Sequence, residues 1–168
     1  GLVIVGYTAM GGLKAVIYTD VFQMGVLFVG IILLLVPLGL MAVGGPSALI
    51  HHFTQDPATA SYVDWGAVEP KELIGWFLSV FPVWFISIAA MQRIIAARNV
   101  QVAQRAFLLT GVPIEWPLFA IGSTLVGLIA RMLMPDLSDP ELATPMMIMT
   151  VLPAGIAGLV IAAYIAAV

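Results

Sequence analysis

The 168-residue sequence contains no cysteine, and charged residues account for only 9% of it. The absence of cysteine excludes disulfide bonds and thiolate metal sites among these residues. A soluble domain of this size carries roughly a quarter charged residues. The polar surface is therefore too small to cover a globule in water, and we expect lipid to be the solvent for much of the chain.

Basic residues are also scarce, with six Lys and Arg against nine Asp and Glu and a net charge of -3. The sequence has no basic face for nucleic acid, so nucleic acid is not an expected partner. It also lacks the charged n-region and cleavage site of a signal peptide. The chain starts at Gly1 inside one apolar run and stops at Val168 inside another. We therefore expect it to be a piece of a longer protein.

The sequence does contain long apolar runs, which raise its mean hydropathy to +1.11. Roughly 20 apolar residues span a bilayer as a helix, and these runs lack the strict alternation of membrane barrel strands. The predicted fold class is an all-α membrane protein, with residues 1–168 forming a single transmembrane domain. It has the tail of one helix at residues 1–10 and four full transmembrane helices, at about 21–43, 73–91, 106–130 and 145–168.

The distribution of basic residues predicts the orientation of these helices, because cytoplasmic loops carry an excess of Lys and Arg. Four of the six basic residues fall on one predicted side, in the segments 11–20 and 92–105: Lys14, Arg93, Arg98 and Arg105. The opposite side holds Lys71 and Arg131. The sequence therefore predicts that 11–20 and 92–105 are cytoplasmic loops and that 44–72 is an outer loop.

Three motifs lie in order along the chain. The first runs from Tyr7 to Gln23 and contains Gly11-Gly12-Leu13-Lys14 and Thr19-Asp20. The second is the segment 92–99, followed by Ala103-Gln104-Arg105, and the third begins at Leu152-Pro153 and continues to residue 167. Together these motifs resemble the sodium:solute symporter family, and the resemblance covers essentially the whole chain except the outer loop.

The resemblance implies part of the ten-helix inverted-repeat core of leucine-transporter-type carriers, with the first full span closing one repeat and the next three opening the second. It implies a sodium-coupled symporter that imports a small organic solute by alternating access. Na⁺ would be the coupling ion, and the solute and the lipid bilayer would be the partners. The expected location is the cytoplasmic membrane of a bacterium or archaeon, as a multi-pass protein. The oligomeric state has no signal in the sequence.

Two alternatives remain open at this stage. Some bacterial sensor kinases carry a membrane input module that resembles this family, and proton coupling is the close rival to sodium coupling. An enzyme is not expected, because the predicted spans contain no histidine cluster or nucleophile–base pair.

Two residues are candidates for the sodium path or site. Asp20 matches the family's Thr-Asp position, which implies a carboxylate on the sodium path. The residue types alone also predict a helix N-cap at Asp20, where a carboxylate is favoured by the helix dipole. Ala167 matches the position whose backbone carbonyl contributes to the family's sodium site. The pair His51-His52 is expected to be solvated, because adjacent side chains diverge.

Two further residues are candidates for substrate binding. Trp84 matches the family's substrate-facing aromatic in a discontinuous helix, and Pro82 is the expected point of interruption. Phe85 replaces the glycine that follows this aromatic in the family. Glu115 is the one ionisable residue deep in a predicted span, roughly 15 Å beyond Arg105 at 1.5 Å per residue.

A carboxylate at the depth predicted for Glu115 costs several kcal/mol unless it is paired, protonated or wetted. Pro113 and Pro117 flank it and loosen backbone hydrogen bonding, which favours access of water. The functional interpretation is substrate contact or a proton-sensitive coupling site. The structural alternative is a buried acid hydrogen-bonded to Trp116 or to a nearby hydroxyl group.

Overall fold

The computed structural model describes residues 2–64, 66–111 and 119–167, and these ranges contain helices but no strand. Helical residues make up 82%, which confirms the all-α class. The α-helices are α1 (Leu2–Leu27), α2 (Val36–Ala42), α3 (Pro46–Gln55), α4 (Pro70–Ile86), α5 (Ile88–Ile95), α6 (Val100–Thr110), α7 (Ile121–Leu133), α8 (Ala143–Val151) and α9 (Ala154–Ala167). A π-helical stretch, Phe28–Leu35, joins α1 to α2, and short 3₁₀ turns lie at Ala60–Tyr62 and Pro140–Leu142.

Glycines define both ends of the helical segment formed by most of α1, the π-helical stretch and α2. Gly12 interrupts α1 with φ 59° and ψ −159°, a conformation that side chains with a Cβ rarely adopt. After α2, Gly44 and Gly45 have φ values of 88° and 95°. The Gly45 N–H donates to the carbonyl of Leu40 at 2.7 Å, which satisfies one of the last helical acceptors.

The segment Ala15–Ala42 contains 28 residues and includes all but the last residue of the first predicted span, 21–43. Within the described ranges it is the one helix long and apolar enough, by length and composition, to cross a membrane. Helices α7 and α9 are apolar but shorter. Two of the other predicted spans are each divided between two helices. The span 73–91 is divided between α4 and α5, and the span 145–168 between α8 and α9. The number of full spans and the loop assignments therefore stay predictions.

Helical structure also extends through much of the three segments predicted as loops. Residues 11–20 lie in α1, α3 occupies part of 44–72, and the segment 92–105 includes the end of α5 and the start of α6. A helix satisfies its own backbone hydrogen bonds, so these segments can be helical although their residues have mixed helix propensity.

The π-helical stretch precedes a proline inside the span. The N–H of Val36 donates to the carbonyl of Ile31, five residues earlier, which is the π-helical pattern. Pro37 has no N–H to donate and its ring crowds the preceding turn. A local change of hydrogen-bond register next to Pro37 is one of the ways in which a membrane helix re-satisfies its backbone around proline.

The chain divides into two compact units, residues 1–49 with 121–168, and residues 50–120. In the first unit α1 and the π-helical stretch pack against α9, while α2 packs against α7 and α8. The centre of this unit consists of aliphatic side chains and methionine, each less than 2% exposed: Leu35, Val126, Ile129, Met147, Ile148 and Val160. No polar side chain is buried among the described residues.

Glycines bring the helices of the first unit close together. A methyl group added to Gly30 would overlap the Val160 side chain, and one added to Gly122 would overlap the end of Ile32. Such close approach is typical of helix association in lipid, where van der Waals packing replaces the hydrophobic effect as the driving force.

The second unit exposes most of its apolar side chains. Along α4, the rings of Phe77 and Phe81 stack with centroids 4.6 Å apart, and Phe85 continues this stripe at 4.8 Å. All three rings are about half exposed. Phe53 is the exception, because it is buried in edge-on contact with Tyr62. An exposed aromatic stripe of this kind is unsuited to water and fits contact with lipid or with other helices.

Candidate functional site

Asp20 lies inside α1, eight residues after the break at Gly12, and helical backbone continues to Leu27. The hydroxyl of the preceding Thr19 donates to the carbonyls of Ala15 at 3.2 Å and Val16 at 2.8 Å, as a threonine within a continuous helix does. The N-cap hypothesis for Asp20 is therefore wrong. The sequence suggested it because Thr-Asp is a common cap pair, whereas the break that starts this helical segment is at Gly12.

The packing of the first unit determines the relative direction of its helices. Gly39 of α2 lies against Met147 of α8, and Gly30 of the π-helical stretch lies against Val160 of α9. As the chain advances from Gly30 to Gly39, its partner residue moves back from Val160 to Met147. The segment α8–α9 is therefore antiparallel to the segment α1–α2.

This arrangement places Asp20 and Ala167 at the same end of one helix pair. Asp20 is ten residues before Gly30, roughly 15 Å along the helix, and Ala167 is seven residues after Val160, roughly 10 Å in the same direction. The two residues therefore differ by roughly 5 Å in axial position. Asp20 is half-buried and Ala167 is exposed.

An open apolar groove of about 520 Å³ runs along this helix pair. It begins at the residues next to Asp20, and its lining includes Val21, Phe22, Val29, Leu34, Ile156 and Leu159. Because the lining is almost entirely apolar, the groove has no ligands for Na⁺ or for a polar solute.

Trp84 lies in the last turn of α4, close to a break in the second predicted span. The sequence predicts this break at Pro82, but α4 continues through Pro82 to Ile86, and the chain becomes extended at Ser87 with ψ 110°. Proline's fixed φ is compatible with a helix, so the loss of one hydrogen bond does not end α4. The helix end at Ser87 leaves carbonyls without intrahelical partners near Trp84, as in the discontinuous helices of transporters.

Trp84 belongs to the unit of residues 50–120, which is separate from the unit that contains Asp20 and Ala167. The fourth candidate, Glu115, lies outside the described residues. The histidine pair on α3 is exposed, as predicted, and His51 lies 3.4 Å from the side-chain nitrogen of Gln55. No cluster of His, Asp and Glu suited to a metal occurs among the residues that the structure describes.

The sequence reasoning missed the break at Ser87 and the two packing glycines, Gly30 and Gly122. A glycine inside a long apolar run is the available signal for close helix contact. Ser87 has no comparable signal, because serine is tolerated within helices.

The all-helical fold, the long apolar span and the exposed aromatic stripe are consistent with an α-helical membrane protein. The chain belongs to the sodium:solute symporter family, whose model matches residues 1–168. This confirms the resemblance stated from the motifs. It places the chain in a family of integral membrane transporters, which are not enzymes.

Individual relatives are sodium cotransporters. The chain is 28% identical to the sodium/myo-inositol cotransporter 2 of Bos taurus, over 96% of the chain and 29% of the relative. It is 29% identical to a sodium/sialic acid symporter of Aliivibrio fischeri, over 99% of the chain and 35% of the relative. It is 30% identical to the sodium/glucose cotransporter 4 of Mus musculus, over 96% of the chain and 28% of the relative.

The chain thus spans about a third of the length of the relatives that it matches, and these come from mammals and from a bacterium. No solved structure gives a significant match to it.

Proposed function

We propose that the protein containing this chain is a symporter that couples Na⁺ entry to the import of a small organic solute by alternating access. The observation that carries this proposal is the family match over residues 1–168, together with relatives that are named as sodium cotransporters or symporters. The chain would contribute part of a ten-helix inverted-repeat core in a bacterial or archaeal cytoplasmic membrane.

Asp20 and Ala167 are the residues proposed for the ion. Their support is the antiparallel packing that brings both to one end of the α1–α9 pair. Carboxylate and carbonyl oxygens are the hard ligands that a small cation such as Na⁺ prefers. In this proposal the Asp20 carboxylate attracts the ion at the mouth of the span, and the carbonyl of Ala167 contributes one ligand.

Trp84 and Glu115 are the residues proposed for the solute. The support for Trp84 is its place in the last turn of α4, beside the helix end at Ser87. The last carbonyls of a helix have no intrahelical partners and can accept hydrogen bonds from a polar organic molecule, and an aromatic residue type offers such a molecule a stacking face. Glu115 is proposed from its sequence position alone, as a charged contact to the solute or a proton-sensitive group.

The direct test is solute uptake by the full-length protein in proteoliposomes. A panel of labelled solutes that includes myo-inositol, glucose and sialic acid would be offered under an inward Na⁺ gradient, an inward K⁺ gradient or a pH gradient. We expect accumulation of at least one solute only under the Na⁺ gradient. Accumulation driven by the pH gradient alone would show that transport is coupled to protons rather than to Na⁺. If the full-length protein instead carries a kinase domain and accumulates no solute, the symporter proposal fails.

A further inference from the structure

Helix α5 presents an apolar face that no other described side chain covers. Ile88, Met91 and Ile95 follow the spacing of one helical face, and Ile88 and Ile95 are 74% and 81% exposed. The helix is separated from α4 by the extended residue Ser87 and ends in turn hydrogen bonds at Ala96 and Ala97. Gln92 and Arg93 are the polar residues of this short helix. A short helix that combines exposed apolar side chains with basic and amide residues suits a membrane interface.

Basic residues are concentrated on α5 and on the segment that follows it. Arg93 lies in α5, Arg98 precedes α6, and Arg105 lies in the second turn of α6. The whole segment 73–114 contains no Asp or Glu. Arg98 and Arg105 are exposed, and neither forms an ion pair with any residue that the structure describes. Arg98 and Arg105 therefore carry positive charge that no acidic side chain among the described residues neutralises.

The start of α6 is held in place by a side-chain cap. Asn99 accepts a hydrogen bond from the N–H of Val102 at 2.8 Å, which fixes the first turn of α6. Gln101, Gln104 and Arg105 then share one exposed face at helical spacing. This face offers amide and guanidinium donors, which are suited to phosphate oxygens.

We propose that the segment 88–105 is a binding surface for anionic phospholipid. The apolar face of α5 enters the acyl boundary of the bilayer, and Arg98 and Arg105 bind the phosphate groups of phosphatidylglycerol-type lipids. Charge complementarity supports this occupant, because an anionic leaflet attracts basic residues at its surface. The apolar face favours lipid over free phosphate as the ligand, because inorganic phosphate has no apolar part that could contact Ile88 and Ile95.

The experiment measures lipid binding to the full-length protein, purified in detergent, by native mass spectrometry. Phosphatidylglycerol and phosphatidylcholine of matched chain length compete for the protein. A basic residue near an anionic surface contributes about fivefold in affinity. We therefore expect Arg98→Gln and Arg105→Gln each to lower the preference for phosphatidylglycerol about fivefold, and the double variant to lower it roughly twenty-five-fold.

Two controls separate this surface from general effects of charge and folding. Lys71→Gln also removes one positive charge, but Lys71 is paired with Glu69 at 2.6 Å, so the lipid preference should not change. The variant Arg98→Lys/Arg105→Lys keeps both charges and should retain most of the preference. Excess inorganic phosphate should not displace the lipid. Equal losses in Lys71→Gln and the arginine variants, or displacement by phosphate, would refute the proposal.

Discussion

Asp20 lies in the interior of a helix, and this position determines what its replacement can test. Asp and Asn have similar helix propensities, so Asp20→Asn changes the charge with little effect on α1. If the carboxylate attracts Na⁺, its loss removes a charge-assisted contact of about 1.5–3 kcal/mol. We expect the Na⁺ concentration for half-maximal uptake to rise roughly tenfold or more.

The matched control for this measurement is Asp136→Asn, because Asp136 is exposed in the segment between α7 and α8. Uptake by this variant should keep the Na⁺ dependence of the parent protein. If Asp20→Asn also keeps that dependence while reaching the membrane at normal levels, Asp20 has no part in the ion path.

Glu115 gives a second test at the level of one residue. Glu115→Gln keeps the size of the side chain and deletes its charge. If the carboxylate contacts the solute or couples a proton, uptake should fall at least tenfold or lose its dependence on pH. If Glu115 is a buried acid that stays protonated, glutamine should be nearly neutral. Uptake kinetics at several pH values distinguish the two, with Glu141→Gln, an exposed acid outside the spans, as the control.

At the scale of helices, the close contacts at glycine predict a graded series of packing defects. A Cβ on Gly30 would meet the Cγ1 of Val160 at 3.0 Å and its Cβ at 3.2 Å, and valine is stiff at χ1. A Cβ on Gly122 would meet only the tip of Ile32, which can rotate away. Gly30→Ala should therefore destabilise the protein by about 1–3 kcal/mol, and Gly122→Ala by less. Thermal unfolding in detergent, followed by circular dichroism, measures both.

Two further variants show whether the contact with Val160 is the cause. Gly127 has no atom within 4 Å of an added Cβ, so Gly127→Ala should be neutral or slightly stabilising. In the double variant Gly30→Ala/Val160→Ala, the removed methyl groups make room for the added one, and part of the loss should be recovered. A Gly30→Ala variant as stable as Gly127→Ala would contradict this packing.

The helices also show where the sequence was sufficient and where it was not. Hydropathy located the segment Ala15–Ala42, because a long apolar run has one stable backbone state in lipid. It did not locate the helix end at Ser87 or the start of the helix at Gly12. Pro82 is the stronger local signal for a helix break, and Thr19-Asp20 is the stronger local signal for an N-cap. Both lie within continuous helix in the structure, because the neighbouring helical turns override the local signal. The placement of Asp20 and Ala167 at the same end of one helix pair depends on packing between distant segments, which no local pattern encodes.

At the scale of the whole molecule, the charge asymmetry predicts opposite sides of the membrane for the two polar segments. Because the chain contains no cysteine, single cysteines can be introduced at Gln101 and at Ser61, both of which are exposed. In intact cells an impermeant thiol reagent should label Ser61→Cys and should label Gln101→Cys only after the membrane is opened. Any cysteines elsewhere in the full-length protein would first be replaced by serine. The reverse labelling pattern would invert the orientation.

The family could be recognised from the sequence because its three motifs lie in order along the chain, and the family match confirms it. The solute could not be predicted. The relatives of this chain are named for chemically different solutes. Solute specificity therefore depends on the side chains that surround the solute rather than on the helical pattern. Trp84 and Glu115 remain the two positions in this chain at which that specificity can be tested.

The length of the helical segment Ala15–Ala42 has an electrostatic consequence for Asp20. Twenty-eight residues extend roughly 42 Å, against a hydrocarbon thickness of about 30 Å, so this segment tilts or projects into the headgroups. With Ala15 at the hydrocarbon boundary, Asp20 is five residues further along the helix and lies at most roughly 8 Å below it. Water and headgroups reach groups at this depth. An ion that meets Asp20 from the aqueous phase therefore does not first cross the apolar centre of the bilayer.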